Sequence, residues 1–272
     1  MYSEAELKEM AKSVRRGIIE AVYSAQSGHP GGALSIADIL TDLYFNEMRI
    51  DPEHPKDENR DRLVLSKGHA SAALYSVLAL RGYFPVEDLK TFRKIDSYLQ
   101  GHPDCNKVPG VDMTSGSLGQ GLSVANGMAL AGKLAKKDYH VYVILGDGEL
   151  AEGQVWEAAM SASHYRLNKV IAFVDFNGLQ IDGKVTDVMD ITPISEKFSA
   201  FGWNVMMIDG HNFAEIHAAV EKAKTSVDKP TVIIANTVKG KGVSYMENSA
   251  GWHGKAPNEE EYIKAMTDIE CM

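Results

Sequence analysis

Three residues near the middle of the chain carry the chemistry of a hard-cation site. Asp147 stands in Gly146-Asp147-Gly148, and Asn177 follows thirty positions later in Asp175-Phe176-Asn177-Gly178-Leu179-Gln180. A carboxylate, a carboxamide oxygen and a free turn carbonyl, for which Leu179 is the candidate, are hard oxygen ligands. Mg²⁺ wants about six such oxygens and usually takes several from a phosphate-bearing ligand. Glycines beside Asp147 let the backbone approach a diphosphate, and the N-terminus of a following helix favours the anion. Gly-Asp-Gly alone is an ordinary tight turn. The Asn-bearing turn at this separation, with an apolar run before each element, is what points to a ligand.

The elements around these residues must bring them together. Residues 141–145, Val-Tyr-Val-Ile-Leu, read as a buried strand too short to be a helix. Residues 152–165 read as a helix, with Val155, Ala158, Ala159 and Ala162 on one face. A second strand covers 169–174, and Asn177-Gly178 signals a turn beyond it. In a right-handed strand–helix–strand unit both strand ends fall on the same sheet edge. Asp147 and Asn177 are therefore expected to face one another across the crevice where such sheets bind ligands.

The rest of the chain alternates in the same way. Residues 4–25 form an amphipathic helix with Leu7, Met10, Val14, Ile18 and Ala21 on one stripe. Ser27-Gly28-His29-Pro30-Gly31-Gly32 breaks it, and Ser35 with Asp38 reads as a capping box for a second helix through Met48. A polar loop at 51–60 leads to a strand at 62–65, Ser66-Lys67-Gly68-His69-Ala70, and a helix to Arg81. Residues 86–94 read as another helix, and 97–117 as a long Gly- and Pro-containing loop of the kind that is usually functional or disordered. A helix at 122–135 precedes the central unit. A strand at 204–208, a helix capped by Asn212 and running to Lys224, a β-rich strand at 231–238 and a short helix at 258–267 follow it. This pattern predicts an α/β fold: a mainly parallel sheet of about five or six strands with helices on both faces. The glycine motif of nucleotide-binding Rossmann proteins follows none of the strands.

At 272 residues the chain can bury one substantial core, and we read residues 1–272 as one domain. A net charge of −9 without any Lys/Arg cluster argues against a nucleic-acid partner. Two cysteines, Cys105 and Cys271, suit a reducing compartment rather than a disulfide framework. The N-terminus lacks the apolar core of a signal peptide, and no apolar run is long enough to span a membrane. A cytoplasmic location is the expectation.

Four of nine histidines, His29, His69, His102 and His253, sit in loops with glycine on at least one side. Glycine sacrifices chain entropy to permit close approach, which is odd beside an inert residue. Zinc is the mundane alternative, but no His-Glu-x-x-His or paired-Cys spacing supports it, and His102 with Cys105 is too little.

With these motifs in place, the sequence Gly146-Asp147-Gly148-Glu149-Leu150-Ala151-Glu152-Gly153-Gln154-Val155-Trp156-Glu157-Ala158 resembles that of transketolases. Ser27–Pro30, Lys67–Ala70, Gly101–Pro103 and Trp252–Gly254 match further motifs of that family in order, so the resemblance runs from about residue 15 to about 255. One departure is Phe176, which holds the place of the first of two asparagines often found there; the ligand asparagine is the second, Asn177.

The resemblance implies a fold that binds thiamine diphosphate through its diphosphate and a Mg²⁺ ion, with Ca²⁺ or Mn²⁺ as alternatives. The metal ligands would be Asp147, Asn177 and Leu179, with Gly148 and Glu149 beside them at the cofactor. Gly116, Ser117 and Leu118 would meet its pyrimidine side, and Lys239 its diphosphate. His29, His69, His102 and His253 would line the channel above the thiazolium, His69 and His253 also touching the cofactor. Imidazole suits proton movement at carbonyl and alkoxide oxygens because its pKa lies near neutrality. Glu152 resembles a carboxylate that connects paired active sites across a subunit interface; helix N-terminus stabilisation explains it equally well. The reaction implied is reversible transfer of a two-carbon ketol unit between sugar phosphates, as in the pentose phosphate pathway. Transketolases carry a further pyrimidine-binding domain, and the expectation is a separate C-terminal subunit that supplies it in an α2β2 assembly. Two other readings stand beside this one: the α subunit of a 2-oxoacid dehydrogenase, and a non-catalytic binding or regulatory subunit of the same fold.

Overall fold

The computed structural model describes residues 2–272. Helix α1 spans Glu4–Ala25, opened by a capping box between Ser3 and Glu6. Helices α2 (Pro30–Leu34) and α3 (Ala37–Asp42) follow, the latter running on into a π-helical turn at Leu43–Glu47. Strand β1 (Arg62–Leu65) leads through a 3-10 turn at Gly68–Ala70 into α4 (Ser71–Arg81). Helix α5 (Gly121–Leu134), β2 (Val141–Gly146), a 3-10 turn (Gly148–Ala151), α6 (Gly153–His164) and β3 (Val170–Phe176) make the central unit. A small hairpin of β4 (Leu179–Gln180) and β5 (Gly183–Lys184) precedes α7 (Val185–Val188) and α8 (Ile194–Ala200). The chain closes with β6 (Asn204–Asp209), α9 (Phe213–Lys224), β7 (Thr231–Asn236) and α10 (Glu259–Glu270).

The main sheet has five strands in the order β1-β2-β3-β7-β6, every neighbouring pair parallel. Alternate residues of each strand feed two cores. Tyr142, Ile144, Ile171, Phe173 and Ile233 face α1, α3, α4, α9 and α10. Val143, Leu145, Ala172, Val174 and Ile234 face α5, α6 and α8. Burial on both faces is why these strands read as nearly continuous apolar runs. Because all five strands point one way, the loops after β1, β2, β3 and β7 gather at one edge.

Several sequence expectations need correction. Ser35 and Asp38 form no capping box: the helical segment starts earlier, with Pro30 in its first turn, and both side chains are buried. Ser35 Oγ donates to Asp175 Oδ2, and Asp38 accepts from both Nη atoms of Arg15 at 2.8 and 2.6 Å. Tertiary partners claimed these polar groups before the helix terminus could. Residues 86–94 form only a 3-10 turn at Val86–Thr91. The β4–β5 hairpin, α7 and α8 were not anticipated, since each is too short to show a period.

The long loop from Ser97 to Ser117 is ordered by side chains. Tyr75 Oη donates to the carbonyl oxygens of Gln100 and His102 at 2.9 and 3.2 Å, and Ser71 Oγ to that of Gly101 at 2.8 Å. Its far end is held by Glu149, which is 3% exposed. Glu149 Oε1 accepts from Gly119 N at 2.8 Å and from Ser66 Oγ, and Oε2 accepts from Gly146 N at 2.9 Å. One carboxylate thus ties the loops after β1 and β2 to the entry of α5. Replacing Glu149 by Ala strands those buried donors, and we expect a loss of about 3 kcal/mol or more. A lowered urea midpoint, with faster proteolytic nicking between residues 101 and 118, would show it; unchanged stability and nicking would contradict this role.

Candidate active site

Strand β2 leaves the sheet at Gly146, paired with Asp175 of β3. Asp147, one residue on, is 3% exposed. Its Oδ1 accepts from Gly148 N at 2.7 Å and its Oδ2 from Gly178 N at 2.6 Å, so the two strand tips are joined directly. Gly178 has φ +75°, the left-handed conformation that glycine takes without strain. That turn places Asn177 Oδ1 where it accepts from Leu179 N at 3.1 Å, while Nδ2 donates to Asp175 Oδ2 at 2.8 Å. Asp147, Asn177 and Leu179 therefore share one end of one cleft.

The two carboxylates have opposite electrostatic fates. Burial works to raise the pKa of Asp175, which is fully enclosed, but Lys67 at 2.5 Å with Ser35 and Thr237 outweighs it and holds the group down. Asp147 is pushed up to about 6, first by burial and then by the charge of Asp175. Among the described residues it has no ion-pair partner. A buried carboxylate with free lone pairs, beside an amide oxygen and a turn carbonyl, fits a hard divalent cation. The carbonyl of Leu179 already accepts from Lys239 Nζ at 3.2 Å, and its second lone pair remains for an ion. No cluster of three His, Cys, Asp or Glu side chains forms among the described residues, so an ion here draws on amide and backbone oxygens.

Three histidines cap the other end. His29 enters from the break after α1, His69 from the 3-10 turn after β1, and His253 from a 3-10 turn at Ala250–Trp252. Their ring centroids lie 5.2, 5.5 and 5.1 Å apart pairwise. Burial, reinforced by nearby cations, pushes His29 down to about 4 and His253 down to about 3, and His69 well below the usual value. All three rings are neutral at physiological pH, each offering one donor and one acceptor. Lys239 donates toward His253 Nδ1 at 3.2 Å and is itself lowered to about 8, by burial and then by Lys67. The cleft, about 230 Å³, thus has hard oxygens at one end and neutral imidazoles at the other, with Lys67 and Lys239 among its lining residues.

Most residues singled out in the sequence meet here: Gly116, Leu118, Gly148, Glu149 and Lys239 line the same cleft. Glu149 commits its oxygens to backbone and Ser66, so it positions the wall. His102 stands exposed at the mouth, its ring 3.2 Å from where a Cβ on Gly116 would be, and Ser117 is exposed beside it. Glu152 is exposed, outside the cleft, and precedes α6 with no side-chain capping bond. The sequence reading missed Lys67 and Asp175 as a pair, along with Gln180 and Ile181 of the hairpin. An acidic residue ending the apolar run of β3 was the available signal for Asp175; nothing local predicted its lysine.

Residues 6–269 match the family model for the transketolase thiamine diphosphate binding domain. The chain is 46% identical over 267 residues to the 6-deoxy-6-sulfo-D-fructose transketolase subunit of Clostridium sp., covering 98% of this chain and 97% of the relative. It is 42% identical over 263 residues to an apulose-4-phosphate transketolase subunit of Phocaeicola vulgatus, covering 97% and 93%. Human transketolase is 44% identical over 252 residues, which is 92% of this chain but 40% of the human protein. The crystal structure of Campylobacter jejuni transketolase superposes with a TM-score of 0.93 at 38% identity, over 99% of this chain and 43% of that one. The cleft between two strand tips and this likeness along nearly the whole chain lead to one conclusion: the protein belongs to the transketolase family, as a thiamine diphosphate binding domain of the kind found in transketolase subunits.

Proposed function

We propose that this chain is the diphosphate-binding subunit of a two-subunit transketolase, its residues 1–272 forming a single domain. The observation that carries the reading is the oxygen set of Asp147, Asn177 and Leu179 at the foot of a cleft roofed by three neutral histidines. In this reading Asp147, Asn177 and the Leu179 carbonyl hold Mg²⁺, and Lys239 faces the cofactor's diphosphate. Thiamine diphosphate, when bound, supplies the carbon nucleophile and electron sink for breaking and forming the carbon–carbon bond. The chain's part is orientation and proton control. Gly116, Ser117 and Leu118 border the pyrimidine side, while His29, His69 and His253 hydrogen-bond substrate oxygens and move protons at the carbonyl and alkoxide positions. His102, at the mouth, meets the sugar as it enters. Exposed Glu152 suits a contact with a second copy better than a place beside the substrate.

The reaction proposed is transfer of a two-carbon ketol unit from an anionic ketose to an aldose phosphate. Relatives of matching length are named as subunits acting on a sulfonated fructose and on apulose 4-phosphate, which favours a specialised sugar over a pentose phosphate pathway role. The same names support a separate C-terminal partner, which we place in an α2β2 assembly in the cytoplasm. No helix among the described residues is long and apolar enough to cross a membrane.

Three measurements test this. Mixed with a pyrimidine-domain subunit, thiamine diphosphate and Mg²⁺, the chain should catalyse ketol transfer, and neither subunit should do so alone. Activity with no partner combination would favour a non-catalytic binding role. Asp147→Ala should leave circular dichroism intact while weakening metal-dependent cofactor binding by more than the roughly 10–100-fold typical of an outer-shell change. In the unaltered protein, only the ionised carboxylate binds metal and it titrates near 6, so affinity should climb with pH up to about 6 and level off above 7. Calorimetric titration at stepped pH would reveal this; a flat profile would contradict the ligand assignment.

A further inference from the structure

Arg93 adjoins His29, a lining residue of the cleft, without lining the cleft itself. Its Nη1 donates to Ser27 Oγ at 3.3 Å and its Nη2 approaches His29 Nδ1 at 3.3 Å. Its Nε is buried without a partner, and Cζ lies 5.4 Å from the Phe92 ring centroid. On its other side is the loop that carries His102: a Cβ on Gly101 would stand 2.7 Å from Arg93 Cζ, so glycine lets the guanidinium pack closely there. The guanidinium is thus wedged between the Ser27–Pro30 and Gly101–Pro103 loops.

Among the described residues, no carboxylate pairs with it. Arg15 and Arg60, similarly buried or half-buried, are paired with Asp38 and Asp112. A desolvated cation without a counter-charge is costly, and Arg93 has only neutral partners. A guanidinium has five N–H donors and no acceptor. Nδ1 of His29 must therefore accept, which leaves the proton of the neutral ring on Nε2. That nitrogen lies on the side of Gly254, 3.6 Å from where its Cβ would be, within the triangle completed by His69 and His253.

We propose that Arg93 is a positioning residue that locks His29 in its Nε2–H tautomer, so that this ring donates to a substrate oxygen and never accepts from it. Proton acceptance then falls to His69, since His253 Nδ1 already accepts from Lys239. The groups facing His29 act in the same sense: Arg93, His102 and Lys239 disfavour its protonation beyond the effect of burial, His69 and His253 adjoin it as neutral rings, and no carboxylate pairs with it among the described residues. The part concerning substrate rests on the transketolase reading, whereas the tautomer and its cause do not.

Long-range ¹H–¹⁵N correlation NMR of the full chain with ¹⁵N-labelled histidine, assigned with His29→Gln, decides the matter. The unaltered protein should show His29 protonated at Nε2 and not titrating above pH 5. Arg93→Met, which keeps a stem packed under Gly101, should give a mixed tautomer and raise the His29 midpoint by at least about one pH unit toward its ordinary value. Arg93→Lys, still only a donor, should restore the Nε2–H form. The His253 signals should not move, because Lys239 serves its Nδ1. Should Arg93→Met fail to fold, the unaltered spectrum and the lysine variant still decide. A proton on Nδ1 in the unaltered protein, or an Arg93→Met spectrum identical to it, overturns the proposal. With the partner subunit present, Arg93→Met should lower kcat/KM by about tenfold to a hundredfold and shift its acid limb to higher pH. A fall in amplitude with no shift would indicate a purely structural role. Absence of turnover in every form, with the tautomer as stated, would overturn the transketolase reading and leave the tautomer standing.

Discussion

Two carboxylates, Asp147 and Asp175, are buried at the tips of neighbouring parallel strands, and the surroundings satisfy only one of them. Asp175 holds Lys67, Ser35, Thr237 and the amide of Asn177 around it. Asp147 has two backbone N–H groups and, among the described residues, no ion-pair partner. Desolvating a charge is unfavourable unless it is paired, so the lone carboxylate either takes a proton or draws in a positive ion. The proposed metal site follows from that imbalance. Asp175, by contrast, secures the turn from which Asn177 and the Leu179 carbonyl project.

The same principle shapes the opposite end of the cleft. Lys67 and Lys239 stand near three buried imidazoles, and burial first, then nearby cations, keeps each ring without its second proton. A neutral ring has one donor and one acceptor, so its neighbours decide which nitrogen carries the proton. Lys239 does this for His253 and Arg93 for His29. The histidines thereby become oriented dipoles rather than interchangeable bases.

Support comes from side chains whose polar atoms are committed to other parts of the protein. Glu149 joins three loops through one buried carboxylate, and Tyr75 and Ser71 hold the segment that carries His102. Arg15 with Asp38 anchors α1 against α3, and Asp38 also accepts a bond from His211 at 2.7 Å, in the loop before α9. Burial alone would raise the pKa of Asp38, yet Arg15 and His211 hold it down to about 2.

The sequence alone determined the alternating α/β order, the parallel sheet, the Asp147–Asn177 juxtaposition and the four glycine-flanked histidine loops. Those features are local: apolar runs, turn residues and short motifs leave their mark within a few positions. Element boundaries were legible for long periodic helices such as α1 and α9, and were lost for the β4–β5 hairpin, which is too short to carry a period. Only the tertiary structure decided that Ser35 belongs to Asp175, that Lys67 neutralises it, that Glu149 is a strut and that Glu152 lies outside the cleft. Each of these depends on which charged or polar groups, many tens of residues apart, are buried together, and burial is a property of the packed chain with no signature in the neighbouring residues.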